Sequence, residues 1–370
     1  MSNGRPLRLM LIAERLGPSG VTTYAENLMR ALARRHKLML VSPGGPAAER
    51  VGKLAGAALV LPGLPRWGLF KPGRRKLLAE AEKFRPELVH ALSGHAVPAA
   101  WEVSERMGLP QLITSHHYLK GPGELKLHKR VRRVLAVSQA LRENLVNTGK
   151  VPRELVDVVP NGINVKSYTP REEPEVDPGD PRRLPVVGFF GRLARRKGPA
   201  YLVRAAAELK RRGVDAEYLF VGEGPELGNL DRLAKELGVR GRITFRDAPL
   251  PAREVLPAFD IFAAPSLQEA LGINILEAMA CQVAVVASAV GGIFTVIRDC
   301  ENGLLAPPKD HLALADRIQD LLTDPARRAA IALAGRDTVE REFSVEAMLA
   351  ATETTYYAAF EKSKSEVIRP

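Results

Sequence analysis

The sequence predicts an α/β protein built from two Rossmann-like domains, each a parallel sheet flanked by helices. Three observations carry this reading. At 370 residues the chain exceeds the usual size of one domain, so two domains of about 180 residues are expected. Short apolar runs, each followed by a glycine-bearing or polar loop and then a 3.6-period helix, recur in both halves. Between the halves lies TPREEPEVDPGDPRRLP, residues 169–185, rich in proline and acid and almost devoid of apolar side chains, as befits an interdomain linker. The boundaries read as residues 1–168, the linker 169–185, residues 186–343, and a final helical segment at 344–370.

In the first domain, Leu7 to Ala13 has strand length and runs into a loop, Glu14 to Val21, and then a helix with Tyr24, Leu28, Met29 and Leu32 on its buried face. Gly20 would let the backbone approach a phosphate there. Leu38 to Ser42 and Ala57 to Leu61 read as strands, and Leu77 to Lys83 as helix. Ahead of that helix, Trp67 and Phe70 are interleaved with Arg66, Lys71, Arg74, Arg75 and Lys76. Such a stretch suits an anionic membrane surface, with rings at headgroup level and cations on lipid, and it equally suits a loop packed on its own domain. Glu87 to Ala91 is the next strand. Gln111 to Tyr118 follows, bringing His116 and His117 to a strand's carboxyl end, where α/β sheets place ligands; a core or surface histidine is the other reading. A basic helix over Leu127 to Arg133, strands at Val134 to Ser138 and Val156 to Val159, and a helix between those strands complete the domain.

The second domain opens with an apolar strand ending at Phe190, a basic loop from Gly191 to Gly198, and a helix started by Pro199. Arg192 and Lys197 in that loop could hold a pyrophosphate by charge-assisted contacts. Tyr218 to Pro225 is a strand and turn containing Gly222, and Ile243 to Arg246 another strand. Asp260 to Ser266 then leads into Glu269 and Glu277, eight positions apart around Gly272. A helix beginning near Gly272 or Ile273 would point its unpartnered first amides at a diphosphate. Glu269 could then accept from sugar hydroxyls and Glu277 from a ribose, although ordinary helix capping fits the spacing too. Val283 to Val286 reads as the following strand. Helical patterns run on from Asn302-Gly303, with a break near Phe343-Ser344.

Composition narrows the function. Hydrophobic residues make up 46% and charged residues 26%, enough apolar content for sizeable cores. No stretch reads as a secretion signal or a membrane span. Two cysteines, Cys281 and Cys300, are too few for a disulfide framework or a metal site, so the expected setting is the cytoplasm. Residues 1–165 hold 26 Lys and Arg against 12 Asp and Glu, whereas residues 166–370 hold 28 against 30; all the net charge of +12 lies in the first half. A basic half of this kind suits an anionic partner, such as the inner face of a membrane or a charged acceptor. No nucleic-acid-binding module is recognisable.

The run Glu269-Ala270-Leu271-Gly272-Ile273-Asn274-Ile275-Leu276-Glu277-Ala278-Met279-Ala280-Cys281 resembles the E-x7-E signature of the retaining glycosyltransferases of family 4, with Ala270 where glycine is usual and Gln282-Val283-Ala284 in place of Gly-x-Pro. Further landmarks occur in the family's order. Ser19-Gly20 stands where a Gly-Gly pair is common, Thr114 and His116 match T-x-H-D, Pro160 to Asn164 resembles the IPNGVD turn, Gly191 to Gly198 matches GRLxxxKG, and Gly222 to Pro225 resembles GxGP.

The resemblance covers most of the chain and implies a GT-B fold, with the two domains facing across a cleft and the final helix crossing back to the first. It assigns the acceptor to the first domain and a nucleoside-diphosphate sugar, UDP or GDP most readily, to the second. It places Arg192 and Lys197 on the diphosphate, Gly20 near it, Gly222 beside the base, His116 and Glu269 at the sugar, Ala270, Leu271, Gly272 and Ile273 along the donor, and Glu277 on the ribose. Transfer with retention to a glycan or lipid-linked acceptor follows, without metal or resident cofactor, as in polysaccharide or glycolipid biosynthesis. A nucleotide-sugar 2-epimerase of the same fold and a non-catalytic nucleotide-sugar or membrane-binding protein are the competing readings.

Overall fold

The structure is a computed structural model that describes residues 5–17, 19–64, 71–170, 184–247 and 251–367. The chain divides into two compact units, residues 1–162 with 345–370, and residues 163–344. Residues 163–168, expected with the first domain, therefore belong to the second unit. Most of the expected linker lies outside the described residues.

The first unit holds strands β1 (Arg8–Ile12), β2 (Lys37–Ser42), β3 (Ala57–Val60), β4 (Leu88–Ala91), β5 (Gln111–Ser115), β6 (Val131–Ala136) and β7 (Val156–Val158). They form one parallel sheet in the order β3-β2-β1-β4-β5-β6-β7. Continuous apolar strands such as Leu9 to Ile12 are buried on both faces, as a parallel sheet covered by helices demands. The basic helix expected over Leu127 to Arg133 is absent; the chain turns there and Val131 already starts β6. Val131, Val134 and Leu135 are buried in the sheet, while Arg133 pairs with Asp157 on β7 at 3.1 Å, so tertiary pairing overrides the helical charge pattern.

The last helix, Val345–Val367, packs on this first core through Met348, Tyr356 and Ala359. Two buried polar contacts fix it. Tyr356 meets His90 Nδ1 at 2.7 Å, and Glu353 meets His36 Nε2 at 2.9 Å. His36 Nδ1 accepts the Leu7 N–H at 3.1 Å, so the Nε2 proton must be the one offered to Glu353.

The second unit holds β8 (Val186–Phe190), β9 (Glu217–Val221), β10 (Ile243–Arg246), β11 (Ile261–Ala264), β12 (Ala284–Ser288) and β13 (Leu304–Ala306), again all parallel, in the order β10-β9-β8-β11-β12-β13. The order reverses between β8 and β11. The loops leaving the carboxyl ends of those two strands flank this switch point, where an open α/β sheet has the crevice that usually takes a ligand.

Candidate functional site

The two loops at that crevice carry the predicted donor residues. After β8 the chain forms the Gly191 to Gly198 loop; after β11 it forms the Pro265 to Gly272 loop. Leu267 N–H donates to the Arg196 carbonyl at 2.8 Å, stitching one loop to the other. Gly198 adopts φ +65°, and a Cβ there would lie 1.9 Å from the Pro265 carbonyl oxygen, so only glycine permits this approach. The stitching sets Lys197 beside Glu269 in an ion pair whose side chains are 13% and 11% exposed. Arg192 projects into solvent, as do Arg195 and Arg196. Gly222, expected beside the base, presses on the same loop: its Cβ would fall 1.9 Å from the Gly191 carbonyl oxygen, and Leu193 N–H donates to Glu223 at 2.8 Å.

Gly272, with φ +97°, forms the N-cap of the helix Ile273–Ala280. The preceding turn is held from behind by Gly292 N–H, which donates to the Glu269 carbonyl at 2.8 Å. Asn274, unnoticed in the sequence, ties the helix start to β8 by donating from Nδ2 to the Phe190 carbonyl at 3.0 Å. Its position just after a glycine, where short polar side chains bond local backbone, is the signal that could have found it.

Glu277 sits on the second turn, 9% exposed. Tyr168 donates its hydroxyl to Oε1 at 2.8 Å. Burial pushes the carboxyl up to about 7, a rise that the Tyr168 bond opposes. Burial and the Glu277 charge push the neighbouring Cys281 thiol up to about 12, so it is an inert core group. Arg336 caps the helix by donating to the Ala280 carbonyl and reaches the Tyr168 carbonyl at 3.2 Å. Neither Tyr168 nor Arg336 was visible in the sequence pattern, because their partners lie 109 and 56 residues away.

Gly20 and His116 belong to the first unit. Gly20 opens the helix Gly20–Leu32, capped by Ser19, whose side chain accepts from Thr22 N–H at 3.3 Å. His116 is buried, its ring edge-on to Tyr24 at 4.7 Å, whereas His117 is exposed. His116 Nε2 meets the Leu92 carbonyl at 3.1 Å. Burial holds its pKa near 3, so the ring is neutral, Nε2 carries the proton and Nδ1 is an acceptor. Beneath it, His90 Nε2, Thr114 Oγ1 and the Tyr24 hydroxyl form a buried chain with contacts of 2.8 and 2.9 Å.

Arg66, Trp67 and Phe70 lie outside the described residues. Of the rest of that basic stretch, Arg74 pairs with Glu102 at 2.6 Å, while Arg75 and Lys76 are exposed. Among the described residues no helix is long and apolar enough to cross a membrane, and no cluster of three or more potential metal ligands occurs.

Two family models match the chain, Glycosyltransferase Family 4 over residues 18–167 and Glycosyl transferases group 1 over residues 171–338. The chain is 31% identical to the D-inositol 3-phosphate glycosyltransferase of Xylanimonas cellulosilytica, over 92% of either protein. It belongs to the family 4 glycosyltransferases. A second relative, the GDP-mannose-dependent alpha-(1-6)-phosphatidylinositol monomannoside mannosyltransferase of Mycolicibacterium smegmatis, is 29% identical over 86% of this chain and 89% of its own. The chain spans 64% of the length of a third, the D-inositol 3-phosphate glycosyltransferase of Stackebrandtia nassauensis, which is 32% identical over 69% of this chain. Among solved structures, HepE of Anabaena in complex with UDP superposes with a TM-score of 0.80, covering 95% of this chain and 99% of HepE at 22% identity. The family 4 chain thus has the α/β GT-B fold.

Proposed function

We propose that the protein is a retaining glycosyltransferase that moves a sugar from a nucleoside-diphosphate sugar to a glycan or lipid-linked acceptor. The observation that carries this is the meeting of Lys197 and Glu269 at the crevice of the second sheet, beside the amino end of the Ile273–Ala280 helix. A cation, a carboxylate and a helix amino terminus within one side-chain length suit a phosphate joined to a sugar. Lys197 and Arg192 bind the diphosphate, aided by the helix amides. Glu269 accepts from sugar hydroxyls and orients Lys197. Glu277 accepts from the ribose, and His116, whose Nδ1 is an acceptor, accepts a hydrogen bond from a sugar hydroxyl.

As the bond from the anomeric carbon to the leaving phosphate breaks, negative charge grows on that phosphate. Lys197, Arg192 and the helix terminus stabilise it without a divalent metal. The acceptor hydroxyl forms the new bond on the same face, and its proton passes to the departing phosphate oxygen. UDP and GDP donors are both supported by relatives, since HepE holds UDP and the mannosyltransferase uses GDP-mannose. Acceptors with a polyol phosphate or lipid group agree with the names of the inositol and phosphatidylinositol enzymes.

The test is a thermal-stability screen of UDP, GDP and ADP, followed by turnover with the sugar nucleotide of the stabilising base. A ligand at 100 times its dissociation constant adds about 2.7 kcal/mol. Lys197→Ala is expected to lower the transfer rate roughly 10²-fold, on the order of 3 kcal/mol in the transition state. Transfer at the parental rate by Lys197→Ala and Arg192→Ala alike would remove the phosphate assignment.

A further inference from the structure

We infer that Tyr168 is a positioning residue for the donor's ribose, its hydroxyl holding one oxygen of Glu277 so that the rest of the carboxylate is presented to the ribose hydroxyls. The inference rests on the reading of Glu277 as the ribose acceptor and adds to it a residue outside the E-x7-E segment.

The geometry is a closed frame within the second unit. Tyr168 follows a short turn at Val165–Ser167, and its own N–H donates to the Val165 carbonyl at 2.9 Å. The segment's start is pinned by Ile163 N–H on the Phe343 carbonyl at 2.9 Å. Arg336, on the helix Pro325–Glu342, ties the Tyr168 carbonyl and the Ala280 carbonyl with one guanidinium nitrogen. Arg336 itself is held by Glu340 at 2.8 Å. Donor and acceptor of the Tyr168–Glu277 bond are therefore anchored to the same side chain, one through its own backbone and the other through the end of its helix.

A glutamate has three rotatable side-chain bonds, and a carboxylate that must meet a ribose benefits from losing that freedom before the ligand arrives. A carboxylate has about four lone-pair sites, so one bond from Tyr168 leaves the others for hydroxyls. Tyr168 also favours the ionised form, which accepts more strongly than the acid. The titratable and charged groups facing this pair are Cys281 and Arg336, with Arg253 acting on Tyr168. Cys281 stays protonated across the physiological range, so among the described residues Tyr168 supplies the side-chain hydrogen bond to the carboxylate and is the group whose removal should change its behaviour.

Two readouts test this on the full-length protein. First, affinities for UDP and 2′-deoxy-UDP, and for GDP and 2′-deoxy-GDP, are compared by calorimetry at one pH, which cancels phosphate titration. Tyr168→Phe is expected to lose about tenfold of the preference for the ribonucleotide, with affinity for the deoxy nucleotide unchanged. Equal weakening toward both nucleotides would mean a merely structural role and overturn the inference. Glu277→Gln separates the two layers. If it keeps the parental ribose preference, the ribose reading of Glu277 fails; if it loses the preference while Tyr168→Phe keeps it, only the inference about Tyr168 fails. Second, without any nucleotide, carbonyl-¹³C glutamate labelling reads the Glu277 titration, assigned by its disappearance in Glu277→Gln. The midpoint should rise in Tyr168→Phe, and an unmoved midpoint would overturn the inference whatever the nucleotide measurements gave.

Discussion

Burial lifts the Glu277 carboxyl from an ordinary 4.5 to about 7, and this ties folding stability to pH. The folded chain holds a proton there at pH values where the unfolded chain has released it, so the contribution is fully present below pH 4.5 and is lost as pH rises to about 7. The upper limit is on the order of 3 kcal/mol. Urea denaturation from pH 5 to 8 should show the parent losing stability relative to Glu277→Gln; parallel curves would contradict it. Tyr218 poses the reverse case. It is 3% exposed in the second core, and its hydroxyl has no hydrogen-bond partner among the described residues. An unsatisfied buried hydroxyl costs about 1 to 3 kcal/mol, so Tyr218→Phe should raise the melting temperature, and a lowered one would show a hidden partner.

At the scale of elements, polar contacts of unequal worth hold the helix Val345–Val367. Arg35 also reaches Glu353, at 2.5 Å, but with 44% of its side chain exposed that ion pair contributes little. The buried His36–Glu353 bond decides the matter. Glu353→Leu strands the His36 Nε2 proton, and a loss of about 2 kcal/mol is expected by chemical denaturation, while Arg35→Ala should cost less than about 1 kcal/mol. Most strands and the helix between Glu269 and Cys281 were legible in the sequence because each follows from local periodicity and glycine placement, whereas β13 (Leu304–Ala306) fell in a stretch read as helical and the strand order leaves no local signal. The break at Phe343-Ser344 was legible for the same reason. The false helix at Leu127 to Arg133 arose where short-range charge spacing competed with strand pairing between Val131 and Gln111, a contact no local pattern records. In the site, glycine loops and paired charges were readable, whereas Asn274, Tyr168 and Arg336 serve backbone carbonyls and distant carboxylates. Residue type alone does not reveal such roles.

For the molecule as a whole, the excess of positive charge before residue 166 is expected to draw the protein to anionic membranes. Co-sedimentation with phosphatidylserine liposomes should occur at low ionic strength and fade in high salt, since the screening length falls from about 10 Å at 0.1 M to about 3 Å at 1 M; binding that ignores salt, or none at all, would dismiss an electrostatic membrane contact. The division into units has another consequence, for the order of biosynthesis. The second unit is continuous in sequence, but the first takes Met348, Tyr356 and Ala359 from the far end of the chain. Translated first, residues 1–162 leave the ribosome without the helix that covers their apolar surface and supplies partners to His36 and His90. Residues 163–344 therefore have all six strands of their sheet made before the helix that closes residues 1–162 emerges.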